Sequence, residues 1–69
     1  MFAEHDVVAL RGDRPKECLK AGDVGAIVHC YPDGNGFEVE FIDERGRHKC
    51  VATVPGEQLM KLNLLSLSA

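Results

Sequence analysis

Three cysteines and three histidines are the first groups to weigh, because they are the side chains that hold metals and drive nucleophilic chemistry. His29-Cys30 and His48-x-Cys50 carry the donor types of a tetrahedral site. The spacing has no Cys-x-x-Cys, and strand alternation sends His29 and Cys30 to opposite faces. Cys50 reads instead as a small inward hydrophobe beside Val39, so no metal or other cofactor is expected. Cys18 lies between Lys16 and Lys20, cations that favour a thiolate, but no histidine is near it in sequence to act as base. Glu38 and Glu40 share one strand face. An acid–base pair needs unequal environments, and this face reads as solvent. Arg11-Gly12-Asp13 reads as the polar start of a loop. The chain is not expected to be an enzyme.

Two groups of residues read as contact surfaces. Arg45 and Arg47 flank Gly46 and project guanidinium groups suited to an acidic partner, with Asp43 and Glu44 beside them. Tyr31 stands at the far end of the preceding strand, next to a turn. Near the C-terminus, Leu62, Leu64, Leu65 and Leu67 exceed what one closing strand needs. An apolar strand at an edge pairs readily with another chain, so self-association through this end is expected.

The elements that must position these groups are strands. Helical periodicity is missing, and turn signals recur every eight to twelve or so residues. Asp6 to Leu10 predicts the first strand, and a polar loop runs from Arg11 to Lys20, with Pro15 preventing regular structure in its middle. Asp23 to Tyr31 predicts the second strand: Val24, Ala26, Val28 and Cys30 on one face, Gly25, Ile27, His29 and Tyr31 on the other. In Lys20-Ala21-Gly22-Asp23-Val24-Gly25, Gly22-Asp23 turns the chain, Val24 enters the core, and Gly25 allows a bend or close backbone approach. Pro32 to Gly36 holds Asp-Gly and Asn-Gly, a hairpin signal.

Phe37-Glu38-Val39-Glu40-Phe41 alternates strictly, with its apolar residues inward. A four-residue turn, Asp43 to Gly46, sets Glu40 opposite Lys49 and Val39 opposite Cys50, with Arg47 to Val54 as the fourth strand. Pro55 to Leu59 reads as one helical turn, and Met60 to Leu65 as a fifth strand. The expected fold is all-β, a single domain over residues 1–69 built as a small five-stranded SH3-like barrel.

Size and charge narrow the partners. A chain of 69 residues sits near the lower limit for a self-sufficient core. Its net charge of −3 argues against nucleic acid held through phosphates. No apolar run approaches the roughly 18 residues of a membrane helix. Met1 to Asp6 lacks the marks of a signal peptide, and unpaired thiols suit a reducing compartment, so a cytoplasmic location is expected.

Glu4-His5-Asp6-Val7-Val8, Leu19-Lys20-Ala21-Gly22-Asp23-Val24-Gly25, Phe37-Glu38-Val39-Glu40-Phe41 and the run from Gly46 to Val54 occur here in one order. In these segments, from about Glu4 to Leu59, the chain resembles the bacterial family labelled domain of unknown function 4926. The apolar Asn63-Leu64-Leu65-Ser66-Leu67 departs from that family's polar or basic end. The resemblance implies a stand-alone barrel, in some cases encoded beside toxins or on mobile gene cassettes, and hence an antitoxin or immunity partner. From Ala21 to Phe41 the chain is also similar to the KOW element of ribosomal and transcription-elongation proteins. The leading expectation is a protein-interaction module. A KOW-like nucleic-acid-associated barrel is the alternative, and an accessory subunit of an enzyme the third reading.

Overall fold

A computed structural model of the chain describes residues 2–34 and 36–63. Among the described residues five strands form one antiparallel sheet: β1 (Val7–Leu10), β2 (Val24–Cys30), β3 (Phe37–Ile42), β4 (His48–Val54) and β5 (Leu59–Lys61). Their order across the sheet is β4-β3-β2-β1-β5. The expected helical turn is a 3₁₀ turn at Gly56–Gln58, and a second one, Pro15–Glu17, interrupts the long loop. That second turn departs from the expectation of an irregular loop. Proline at the first position of a short helix has no N–H to lose and a φ already suited to the turn.

The sheet curls over a core of Val8, Leu10, Leu19, Ile27, Val39, Phe41, Ala52, Val54 and Leu59. Phe41 is its largest fully buried side chain. Leu19 reaches the core from the long loop, which is tied by a bridge between Arg14 and Leu19. Phe2 packs edge-on against Phe37, with ring centroids 5.3 Å apart. Among the described residues the barrel does not close by strand pairing, because β4 and β5 are the two edges of the sheet. Two arginines of the loop after β1 bond to these edges instead. Arg14 Nη2 donates to the Thr53 carbonyl of β4 (3.2 Å), and Arg11 Nε donates to the Leu59 carbonyl of β5 (3.0 Å). Glu17 holds the Arg14 guanidinium in place.

The β3–β4 register differs from the expected one by two residues. Glu40 pairs with Val51 and Val39 with Ala52, while Cys50 lies opposite Phe41. The turn is tighter than four residues: the Asp43 N–H donates to the Arg47 carbonyl and the Gly46 N–H to the Asp43 carbonyl. Gly46 takes the left-handed conformation (φ 78°) that such a turn requires. A bulge between Phe41 and Ile42 then sets His48 opposite Ile42 and leaves Lys49 as the extra residue. A shift of two keeps every side chain on its face, so Cys50 still packs against the core.

β2 departs from simple alternation for a related reason. Its register against β3 shifts between Ile27 and His29, leaving Val28 as an extra residue. Before the bulge Gly25 and Ile27 face inward, whereas after it Cys30 packs inward and His29 is exposed. Ile27, not Val24, is the core residue of this strand. β5 is also shorter than expected, although the Leu62 N–H continues its pairing by donating to the Val7 carbonyl (2.9 Å).

Gly25 marks the closest approach of β2 and β3. A Cβ at this position would lie 2.5 Å from the Glu40 carbonyl oxygen and 2.8 Å from Val39 Cγ1. Substituting Gly25→Ala therefore forces two backbones apart, at a cost of about 2 kcal/mol or more and a fall in Tm of roughly 10 °C. Gly22→Ala meets open space and pays only for its positive φ of 92°, about 1 kcal/mol. Thermal melts of both variants test this; a loss in Gly25→Ala no larger than in Gly22→Ala would overturn close contact as the constraint at Gly25.

Candidate functional site

The residues that pack inward along β3 leave Glu38, Glu40 and Ile42 on the opposite face. Their cross-strand neighbours on β4 are Thr53, Val51 and His48, and on β2 the row continues through His29 and Ala26. This outer face carries three of the exposed large apolar side chains: Val28 (45%), Ile42 (39%) and Val51 (51%). Both bulges shape it. One adds Val28 beside His29, and the other leaves His48 and Lys49 both exposed.

A hydrogen-bonded ladder crosses the apolar surface. Glu38 accepts from the Thr53 hydroxyl (2.7 Å) and from the Tyr31 hydroxyl (2.9 Å). The Tyr31 ring stands edge-on to His29, centroids 4.8 Å apart. Glu40 Oε2 lies 2.9 Å from His48 Nδ1. Thr53 and, to a lesser extent, Tyr31 hold the Glu38 carboxyl below the ordinary range, because both bonds favour the ionised form. The same contact raises the Tyr31 hydroxyl, since losing its proton would set two negative charges together. A shallow hollow of about 280 Å³ lies between Tyr31, Asp33, Gly36 and Thr53.

Tyr31 therefore belongs to the outer face, but Arg45 and Arg47 do not join it there. They lie in the β3–β4 turn, at the opposite end of β3, where Arg47 Nε reaches Asp43 Oδ2 (3.4 Å). Asp43 also accepts the backbone N–H groups of Arg47 and Arg45, which lowers its carboxyl. A second hollow of about 300 Å³ lies beside this turn, bounded by Asp23, Ile42, Asp43 and Lys49 among others. Asp43 there is engaged as described, and Asp23 with the Lys20 N–H (2.9 Å) and with Lys49 (3.1 Å). The first of these bonds is the main cause of the lowered Asp23 carboxyl.

Leu62 is half-buried beside β1, while Leu64, Leu65 and Leu67 lie outside the described residues. Cys18 is exposed in a left-handed conformation, and Cys30 and Cys50 are half-buried against the core. Among the described residues no three His, Cys, Asp or Glu side chains come together as a metal-holding group, and no helix is long and apolar enough to cross a membrane. Sequence reasoning missed Thr53, Val28 and Val51. Glu38 and Thr53 are directly opposed, but finding that pair needs both the tighter turn at Gly46 and the bulge at Lys49, and only the turn has a sequence signal.

With this geometry in place, comparison with known proteins adds one relationship. Residues 4–61 match the family described as domain of unknown function DUF4926. The chain belongs to that family. The match takes in every strand of the sheet. No curated protein and no solved structure matches the chain.

The Glu38 ladder predicts a pH dependence with a definite sign. A carboxyl lowered in the folded state adds stability above its unfolded pKa, near 4.3, and that contribution is lost as pH falls through the folded value. In Thr53→Val the carboxyl titration of Glu38, followed by NMR, moves up toward the ordinary range. An unchanged titration would remove Thr53 as the principal cause.

Proposed function

We propose that the chain is a non-catalytic protein-interaction module whose partner docks on the outer face of β2, β3 and β4. The observation that carries this is the exposure of Val28, Ile42 and Val51 on one face, around polar groups already held by hydrogen bonds. Small side chains held in one geometry lose little entropy on docking, and a rigid tyrosine beside an apolar patch is typical of residues that dominate protein interfaces. The expected partner-binding role of Tyr31 fits this face. Arg45 and Arg47 lie outside it and belong at most to its rim.

Docking of this kind occupies a partner stoichiometrically and requires no reacting group on the module. In its finer form the reading makes the chain an antitoxin or immunity protein whose partner is a toxin, blocked by coverage of its working surface. The KOW-like alternative has less support, because the face carries two carboxylates and the two turn arginines are set among acidic neighbours.

Affinity capture from the source organism tests the reading. Wild-type chain is expected to retain a protein in stoichiometric amount, and Val51→Asp to lose it at least tenfold. Val51 is exposed, so the change opens no cavity, and the cost of setting a carboxylate opposite Glu40 is read from the variant's melting curve. Arg45→Glu, in the turn beyond the face, is expected to retain the partner. Absence of any retained protein, or equal retention by Val51→Asp, overturns the proposal.

A further inference from the structure

The charge of the outer face points to the chemistry of what covers it. Glu38 is bonded to two neutral hydroxyls, and Glu40 to one ring nitrogen of His48. Among the described residues no lysine or arginine pairs with either carboxylate. Lys49, the nearest cation in β4, is taken by Asp23. Two carboxylates thus stand among exposed valines and isoleucine with hydroxyl and imidazole partners but no lysine or arginine.

Their spacing is specific. Residues two apart on a strand are separated by about 7 Å and project from the same face. A guanidinium placed between them presents N–H groups to both carboxylates at once, in a planar fork that an ammonium lacks. Glu38 is held ready for this by Thr53 and Tyr31, each of which leaves it further lone pairs. Val51 on one side and the bulged Val28 on the other offer apolar contact to the residues flanking such an arginine.

We infer that the outer face receives a segment of another protein in which an arginine, flanked by apolar side chains, inserts between Glu38 and Glu40. This rests on the docking face proposed above and adds the chemistry of its occupant.

The probe is the peptide acetyl-Val-Arg-Val-Arg-Val-amide, titrated into the full chain labelled for NMR. The control is the same peptide with citrulline, which keeps the shape of arginine without its charge. The arginine peptide is expected to shift the amides of Glu38, Glu40 and Val51 saturably, and to bind at least tenfold more tightly than the citrulline peptide. In Glu38→Gln/Glu40→Gln the tenfold preference disappears. Glu40→Gln alone leaves the Tyr31–Glu38–Thr53 bonds in place and is expected to weaken binding severalfold with an unchanged melting curve. Raising salt from about 50 to 300 mM weakens the wild type more than the double variant. Equal binding of the two peptides, shifts confined to other surfaces, or full arginine preference in the double variant each overturn the inference. The two failures are separable. A native partner lost with Val51→Asp alongside an indifferent peptide result leaves the docking face standing and removes its arginine. Arginine-selective binding without any native partner does the reverse.

Discussion

At position 25 the backbones of β2 and β3 approach until no side chain fits between them, and the remaining architecture is arranged around that contact. The Glu40 carbonyl occupies the space a Cβ would take. Gly25 faces the interior, opposite Val8 on β1 and Phe41 on β3. Three strands are thus drawn together at a point where one contributes only backbone. That closeness lets a short sheet curl enough to enclose Phe41, and enclosure matters because a chain this small has little other apolar surface to bury.

Curling alone leaves a seam. The free edges of β4 and β5 expose carbonyls that strand pairing would satisfy in a closed barrel. Arg11 and Arg14 bond to one carbonyl on each edge. The loop that carries them also delivers Leu19 to the core, so its length has a structural purpose. The 3₁₀ turn at Pro15–Glu17 belongs to the same device, since it places Glu17 against the Arg14 guanidinium. A charge-assisted bond to a carbonyl is stronger than a neutral one. An open sheet sealed by side chains is therefore an economical alternative to longer strands.

The strands, their order of appearance and the inward residues of β3 were legible because they rest on local rules. Phe37, Val39 and Phe41 alternate, Gly22 and Gly46 sit where a positive φ is needed, and Gly25 interrupts an apolar strand for want of space. The bulges were not legible. A bulge inserts one residue whose type is unconstrained, and neither Val28 nor Lys49 differs from an ordinary strand residue. The hairpin register was missed by two because two one-residue changes add: Lys49 bulges out of β4, and Ile42 to Arg47 accommodates either a four-residue turn or a three-residue one. What decides between the two turns is Asp43, whose side chain accepts the N–H groups of Arg45 and Arg47 and tightens the turn. The pairing of Glu38 with Thr53 depended on that choice and on the bulge together, so the polar ladder was hidden while the core was visible.

The same irregularities that defeat local reading build the outer face. Without the bulge at Val28, alternation through β2 would turn His29 and Tyr31 inward with Ile27 and set Cys30 in solvent. One extra residue reverses this, sending the aromatic pair outward to meet Glu38 and returning the small thiol to the core. A strand obeying strict alternation can bury one face and solvate the other, but it cannot change which residues belong to each partway along. The bulge makes that change where β2 leaves β1 behind and runs beside β3 alone. Enclosure of the core and presentation of the outer face are thus governed at successive points of one strand, Gly25 for the first and Val28 for the second.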